Sequence, residues 1–416
     1  MLRVEEASER ILAEIRNLAA EAVPLRAALG RVCAEDISAR VTMPPWSNSS
    51  MDGYAVRSAD ITPVMKGETV TLRVVGTIAA GEFAPKALKR GQAMRIMTGA
   101  PVPGGADSVI RKEDTDGGEQ KVEIREARDV WKNIRPAGED YHSGDLLAKR
   151  GTPVKPALIG VLASSGVGTV QVFRRPRVAI ISSGNELVDI DDFDEVLASR
   201  RIVSSNSYTL DALTRVAGGV PVDLGIAADT RASLRRKLEK ASDCDLILTS
   251  AGVSVGDLDH TRDVFAALGG KQLFWKVKMR PGAPLAFGLL DGVPWLGLSG
   301  NPVSAMVSFE LFVRPALRKM QGHTNLFRRT LMVALEEEVK ISAKLTHFLR
   351  AYVTRKDDGT LTARLTGLQS SGALTSMAKA NALLIVPETS PKVAKGAKLK
   401  ALMLDQSLDE TSAFSL

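Results

Sequence analysis

Pro176-Arg177-Val178-Ala179-Ile180-Ile181-Ser182-Ser183-Gly184-Asn185-Glu186 decides the fold class. An apolar run too short for a helix starts after a proline and ends in a Ser/Gly/Asn turn, the pattern of a strand buried on both faces. The same pattern recurs downstream at Pro221–Ala227, Asp245–Ser250, Gln272–Val277 and Trp295–Leu298. Helical periodicity separates these runs at Ser207–Ala217, Thr230–Lys240, Thr261–Leu268 and Pro302–Met320. Alternation of this kind over about 150 residues predicts a mostly parallel, doubly wound α/β sheet.

The flanks read differently. Val4, Ala7, Ile11, Ile15 and Leu18 recur at helical spacing, which predicts a helix running toward Pro24, with a short helix or turn through Leu25–Leu29. From residue 64 to 130, short β runs (Val70–Val75, Ala93–Met97, Ser108–Arg111, Lys121–Arg125) are punctuated by Gly and Pro, as in a small β barrel or sandwich. Residues 156–166 fit a helix with proline in its first turn. After Gly322, β character returns at Leu331–Leu335, Phe348–Thr354, Thr360–Leu365, Leu383–Val386 and Lys398–Leu404, predicting a final small barrel.

Composition bounds the function. The 416 residues suffice for about three domains, and 44% hydrophobic with 25% charged residues excludes disorder. No apolar run reaches the roughly 18 residues of a membrane span, and acid at Glu5 and Glu6 argues against a signal peptide. Two cysteines and four scattered histidines build no disulfide framework and no structural transition-metal site. The expectation is a soluble cytoplasmic protein. A net charge of +7 favours anionic ligands, yet only 5% aromatics and no basic-aromatic run argue against a nucleic-acid groove. A moderately charged soluble surface accounts for the +7 equally well.

Ligands of open α/β sheets bind at the carboxyl ends of the strands. Four loops fall there: Ser182–Glu186, Ala227–Thr230, Thr249–Asp259 and Ser299–Ser304, the last with Asn301 placed as N-cap and Pro302 at the first helical position. Each alone reads as an ordinary turn or cap. Together their glycines (Gly252, Gly256, Gly300) bring backbone N–H groups close to a phosphate. Glu186, Asp229, Asp257 and Asp259 offer hard oxygens for Mg²⁺, a set suited to a phosphate anhydride. Lys276, Lys278 and Arg280 alternate as if on one strand face, either a cationic stripe for an anion or lysine protection of a sheet edge. Asp52-Gly53 taken alone is a hairpin-turn signal, and Arg95–Pro103 a strand running into a Gly/Pro turn.

Asn48-Ser49-Ser50-Met51-Asp52-Gly53-Tyr54-Ala55-Val56-Arg57, Arg95–Pro103, Arg135–Asp140, Gly252-Val253-Ser254-Val255-Gly256 with Asp259, Gly300-Asn301-Pro302-Val303-Ser304, and Ser371-Gly372-Ala373-Leu374 with Ala380-Asn381 together resemble the molybdopterin molybdenumtransferase family, which includes the E domain of gephyrin. The likeness spans nearly the whole chain in the family's order. It implies four domains: residues 1–44 with 139–172, a β-rich insertion at 45–138, a molybdopterin-binding α/β domain at 173–326, and a C-terminal β barrel at 327–416. It further implies a homodimer whose active site lies where the α/β domain of one subunit meets the β-rich region of another.

The implied reaction inserts molybdate into adenylylated molybdopterin, with Mg²⁺ promoting anhydride cleavage and AMP leaving. By position, Asp52, Thr98, Glu186, Asp229, Asp259, Lys276 and Arg280 take the family's functional places, with Asp257 among the metal carboxylates. Gly252, Ser254, Gly256, Gly300, Asn301, Pro302, Ser304 and Ser371 would contact the cofactor. The resemblance also implies exchange with a molybdopterin adenylyltransferase and with cofactor-accepting enzymes.

Five departures from the family's pattern stand out: Asn185 replaces an acid, Ala251 a glycine, Ala283 a lysine and Ser299 a proline, while Arg280 takes a lysine's place. Arginine keeps the charge but changes its geometry. These departures motivate an alternative, a non-catalytic molybdopterin-binding or scaffold paralogue.

Overall fold

The structure, a computed structural model, describes residues 1–126, 128–251, 261–341 and 344–408. The chain forms two compact units, one of residues 1–21, 30–34 and 172–416, the other of residues 22–29 and 35–171.

In the first unit, a six-stranded sheet runs in the order Val220–Ala227, Arg177–Ser183, Leu246–Ser250, Val293–Leu298, Ala286–Leu290, Lys271–Trp275. The first three pairings are parallel and the last two antiparallel. The period of two along a strand explains why both faces are apolar. Val178, Ile180, Leu246, Leu248, Leu296 and Leu298 face one core, which also holds Leu210, Val303, Val307 and Phe309. Ala179, Ile181, Ile247 and Trp295 face the other, with Leu234, Leu238 and Phe265. Each fully buried leucine, isoleucine or phenylalanine contributes on the order of 2 kcal/mol. Covering both faces with helices makes the sheet doubly wound, as its sequence pattern predicts.

Four local expectations are corrected. The strand Ala286–Leu290 was not anticipated; it pairs antiparallel with both Val293–Leu298 and Lys271–Trp275, so this edge is not parallel. The N-terminal helix covers Val4–Glu14 only. Ile15 is extended, Leu18 N–H donates to Met320 O (2.8 Å) and Ala19 O accepts from Arg174 N–H (2.9 Å). Tertiary backbone partners thus outcompete the helical periodicity, and Ala20–Pro24 becomes a strand. The helix still buries Ala7 and Ile11 in the first α/β core, joined there by Ile15 just beyond it.

Lys276, Lys278 and Arg280 do not share one strand. The edge strand stops at Trp275, Lys276 adopts φ 72°, and Met279–Arg280 starts a new strand. A left-handed residue breaks the alternation of faces. Lys276 Nζ lies 3.9 Å from the centre of the Trp275 ring. Met279–Arg280 runs parallel to Thr346–Arg355 of the C-terminal domain, with Arg280 opposite His347.

That C-terminal domain is a closed five-stranded barrel. Thr346–Arg355 pairs with Leu361–Leu365 on one side and Ala382–Val386 on the other, and Thr330–Leu335 and Lys398–Met403 complete the ring. Its inward residues include Val333, Leu335, Val353, Leu384, Val386 and Ala401.

The second unit contains a five-stranded sheet in the order Ser108–Arg111, Gly53–Val56, Gln92–Ile96, Val70–Ile78, Lys121–Ile124. Here the fourth correction falls. Asp52-Gly53 is no hairpin turn: Gly53 opens a central strand paired on both sides. A Cβ on Gly53 would sit 2.0 Å from Ile110 O, so glycine is required for close strand approach, not for a turn. The helix Pro156–Ser164 forms where expected. Among the described residues, no helix is long and apolar enough to cross a membrane.

Candidate functional site

In the first unit, a cleft of about 670 Å³ opens at the carboxyl ends of the parallel strands. Its walls include Ser183 and Glu186 after the first strand, Ser250 and Ala251 after the third, Ser299–Pro302 after the last parallel strand, and Gly372 from the barrel domain. Three of the four predicted rim loops therefore meet in one cavity.

The loop Ser183–Glu186 is held by Asp229. The Ser183 hydroxyl donates to Asp229 Oδ1 (3.2 Å) and Asn185 N–H to Oδ2 (3.0 Å). In return, Asn185 Oδ1 accepts from Asp229 N–H (3.1 Å). Asn185 thus supplies the acceptor an aspartate would supply, without a second negative charge beside Asp229. Arg201 donates to Asn185 O. Glu186 is exposed in the cleft wall, and its carboxylate accepts no hydrogen bond from a described residue. Asp229 works as a brace here, and Glu186 is the open carboxylate.

At the opposite wall, Asn301 occupies the N-cap position, though its side chain makes no capping bond, and Pro302 is the first helical residue. Among the first helical amides, Pro302 has no N–H, Val303 donates to Ser371 O (3.1 Å), and Ala305 donates to Asn301 O (3.0 Å). The Ser304 amide is left without a described partner. Ser371 enters the site through its carbonyl, tying the barrel loop to the helix start. Ser299, in the family's proline place, accepts from Asn301 N–H through its hydroxyl (3.3 Å). Pro284 borders the cleft, so the position that lost a lysine, Ala283, adjoins it. At Gly282 a Cβ would meet Ser308 Oγ at 2.7 Å and Ser304 O at 3.4 Å, so the Arg280–Pro284 turn packs tightly on the same helix.

Two residues at this wall were missed by sequence reasoning. Asn206 is buried and donates to Ser250 Oγ (2.5 Å) and Gly300 O (2.8 Å), joining two rim loops. Arg350 is fully buried and donates to Ser376 Oγ (3.0 Å), Leu368 O (3.1 Å) and Ser370 O (2.9 Å), bracing the loop that carries Ser371 and Gly372; its Nη1 has no partner among the described residues. Burial pushes the pKa of this guanidinium below its usual value. An arginine inside a β run was the one available signal, since an unpaired buried charge is costly. Gly252, Ser254, Gly256, Asp257 and Asp259 lie outside the described residues. Among the described ones, no group of three His, Cys, Asp or Glu side chains gathers as a metal cage.

In the second unit, Asp52 and Thr98 meet. Thr98 N–H and Thr98 Oγ1 both donate to Asp52 Oδ1, each at 2.7 Å. The Thr98 amide and hydroxyl, followed by Arg95 and Lys112, hold this exposed carboxyl below the usual carboxylate range. Oδ2 accepts no hydrogen bond from a described residue. Gly99 N–H donates to Ser49 O (2.8 Å), fixing the turn against the strand that leads to Asp52.

Comparison with known proteins matches each part of this architecture. Family models match residues 2–166 ("MoeA N-terminal region (domain I and II)"), 179–319 ("Probable molybdopterin binding domain") and 333–404 ("MoeA C-terminal region (domain IV)"). The α/β sheet with its carboxyl-edge cleft and the closed barrel thus define a multidomain protein built around the α/β domain of molybdopterin biosynthesis. The molybdopterin molybdenumtransferase of Staphylococcus aureus (strain COL) is 34% identical over 388 residues, 92% of this chain and 91% of that protein. Its counterpart in Staphylococcus epidermidis (strain ATCC 12228) is 34% identical over 393 residues, 93% of this chain and 91% of that protein. The crystal structure of the molybdopterin biosynthesis moeA protein from Pyrococcus horikoshii OT3 superposes with a TM-score of 0.83 at 28% identity, covering 97% of this chain and 100% of that one. The chain belongs to the molybdopterin molybdenumtransferase family, and is an enzyme of molybdenum cofactor biosynthesis.

Proposed function

We propose that the cleft binds adenylylated molybdopterin and that the enzyme inserts molybdate at its dithiolene, with Mg²⁺-dependent cleavage of the phosphoanhydride and release of AMP. The observation that carries this reading is the meeting of Glu186, Gly300, Asn301 and Gly372 in one cavity. That combination sets an open carboxylate opposite a helix start, the arrangement a magnesium-bearing phosphate needs.

Mg²⁺ usually takes one or two carboxylates and completes its shell with water and substrate phosphate oxygens. One open carboxylate, Glu186, fits that demand, with Asp257 and Asp259 as proposed companions. When bound, the ion would act as a Lewis acid on the phosphate oxygens. Asp229 keeps the Ser183–Glu186 loop in place, so its role is to orient Glu186. The Ser304 amide and the positive end of its helix favour the phosphate. Lys276 and Arg280 are assigned to molybdate or phosphate charge, and Ser371 holds the helix start through its carbonyl. Gly252, Ser254 and Gly256 would present backbone amides to the same ligand, and Asn301 and Pro302 shape the wall.

Asp52 and Thr98 are assigned to the same reaction in a homodimer, in which one subunit's pair serves the other's cleft; the family resemblance supports this assignment. Thr98 keeps Asp52 ionised with one oxygen outward, ready to accept a proton or a metal-bound water. Action in the cytoplasm, with hand-over from an adenylyltransferase and onward to accepting enzymes, belongs to the same reading.

The test incubates purified protein with adenylylated molybdopterin, molybdate and Mg²⁺ and measures AMP. Release above a no-protein control is expected, with a loss of about 100-fold or more in Glu186→Gln, the scale of removing one electrostatic contact at a reacting centre. Tight molybdopterin binding with no AMP from the wild-type protein would overturn the proposal.

A further inference from the structure

The long helix that begins at the cleft continues through a π-helical segment, Phe309–Val313, into Arg314–Met320. Around this far end one carboxylate, Glu310, meets the guanidiniums of Arg328 and Arg314, and a third, Arg318, lies within reach of their charge. Glu310 is buried, and Arg328 donates to it through Nε (2.6 Å) and Nη2 (3.2 Å). Arg314 Nε lies 4.0 Å from the same carboxylate, too far for a hydrogen bond. Arg314 Nη1 donates to Leu326 O (3.2 Å), Arg318 Nε to Asn325 O (2.8 Å), and Arg318 Nη2 contacts His323 Nδ1 (3.2 Å).

The charges do not balance. Three arginines face one acid, and the negative end of the helix offsets only about half a charge more. More than one positive charge is left where the side chains of Arg314 and Arg328 keep only 16% of their exposure. Partly desolvated cations of one sign repel strongly unless an anion joins them. Donors are in surplus too: each guanidinium carries five N–H groups and engages described partners with at most two. π-helical segments often mark functional sites, and this one carries Glu310.

We infer that Arg314, Arg318 and Arg328 form a binding site for a tetrahedral oxyanion, inorganic or as a terminal phosphate group, separate from the cleft. Arg314 lies twelve residues along the helix from Pro302, roughly 18 Å at the usual rise. Glu310 fixes Arg328 by a two-point contact, and the remaining N–H groups of Arg328 have no partner among the described residues. The carbonyls of Asn325 and Leu326 hold Arg318 and Arg314 in place. Guanidinium forks suit paired oxygens of phosphate, sulfate or molybdate. The inference does not depend on the proposed reaction in the cleft.

His323 is the local reporter, because it touches Arg318, while His142, away from the residues assigned to the cleft, serves as the internal control. Full-length protein with labelled histidine is titrated by NMR with phosphate, sulfate, molybdate and AMP, each against chloride at equal ionic strength. A saturable shift of the His323 signals, with His142 unmoved, is expected with the oxyanions and not with chloride. In Arg318→Gln and, separately, Arg314→Lys, apparent affinity should fall about tenfold, with circular dichroism and melting temperature of the ligand-free variants showing an intact fold. An AMP response stronger than that of phosphate assigns the site to a phosphate group on a larger molecule; the reverse assigns it to a free oxyanion. Equal shifts with chloride, or unchanged affinity in both variants, would overturn the site.

Discussion

Replacing Ala251 with glycine should stabilise the protein, although glycine substitutions usually do the opposite. Ala251 follows the buried strand Leu246–Ser250, lies in the cleft wall and has φ 75°. An L-residue held in the left-handed region costs roughly 1–2 kcal/mol. Against that gain stand about 0.4–1 kcal/mol from the freer unfolded chain of glycine. The half-buried methyl contributes about half of the roughly 0.8 kcal/mol of a buried CH₂. The hydrogen bond from residue 251 N–H to Leu298 O (3.1 Å) survives the change. The balance is a stabilisation of about 0.5 kcal/mol, or roughly 1–2 °C in melting temperature for a unit of this size. Ala251→Val, β-branched in the same conformation, should instead lose about 2 kcal/mol or more. Differential scanning calorimetry and urea unfolding of the three proteins, alongside AMP release, measure both sides. A less stable glycine variant, or a valine variant as stable as wild type, would show that this backbone is not strained and refute the reasoning.

Gly53→Ala should disrupt the five-stranded sheet, because its Cβ would lie 2.0 Å from Ile110 O; a loss of about 3 kcal/mol or more is expected, read as rapid proteolysis of the second unit. Thr98→Val removes the hydroxyl donor to Asp52 and should raise the Asp52 pKa back toward its ordinary value, followed by carboxyl ¹³C shifts. Because folding depresses that pKa, the stability it contributes is present above the ordinary aspartate pKa and lost as pH falls through the folded one; the variant should flatten that acid limb. His323 is held at about 4, chiefly by burial and then by Arg318 and Arg314. The unfolded chain binds this proton more tightly, so stability should fall as pH drops from about 6.5 to about 4, and His323→Gln should weaken that dependence.

The α/β core was legible because its signal is local. Val178–Ser182, Leu246–Ser250 and Trp295–Leu298 carry apolar runs buried along their length, and strands buried on both faces need little else to be recognised. The rim loops followed from the rule that such sheets bind ligands at their carboxyl ends, and three of the four do line the cleft. Lys276–Arg280 failed because alternation in sequence presumes an unbroken strand, and a left-handed residue at 276 is set by what the chain packs against. Asp52-Gly53 failed for a related reason: the same dipeptide serves a tight turn or a close strand crossing, and only Ile110 O on the neighbouring strand distinguishes them.

The residue pattern by itself determined the element types, the buried sheet, the β character of both flanks and the identity of Glu186, Gly300 and Asn301 as rim residues. These depend on side-chain period and turn chemistry, which act within a few residues. Only the tertiary structure decided that Asp229 is engaged by Ser183 and Asn185 while Glu186 stays open, and that Ser371 meets the helix start through its carbonyl. It alone also brought Arg314 and Arg328 to Glu310, with Arg318 beside them. Hydrogen bonds and charge clusters join residues distant in sequence, and no local periodicity encodes which partner each polar atom finds.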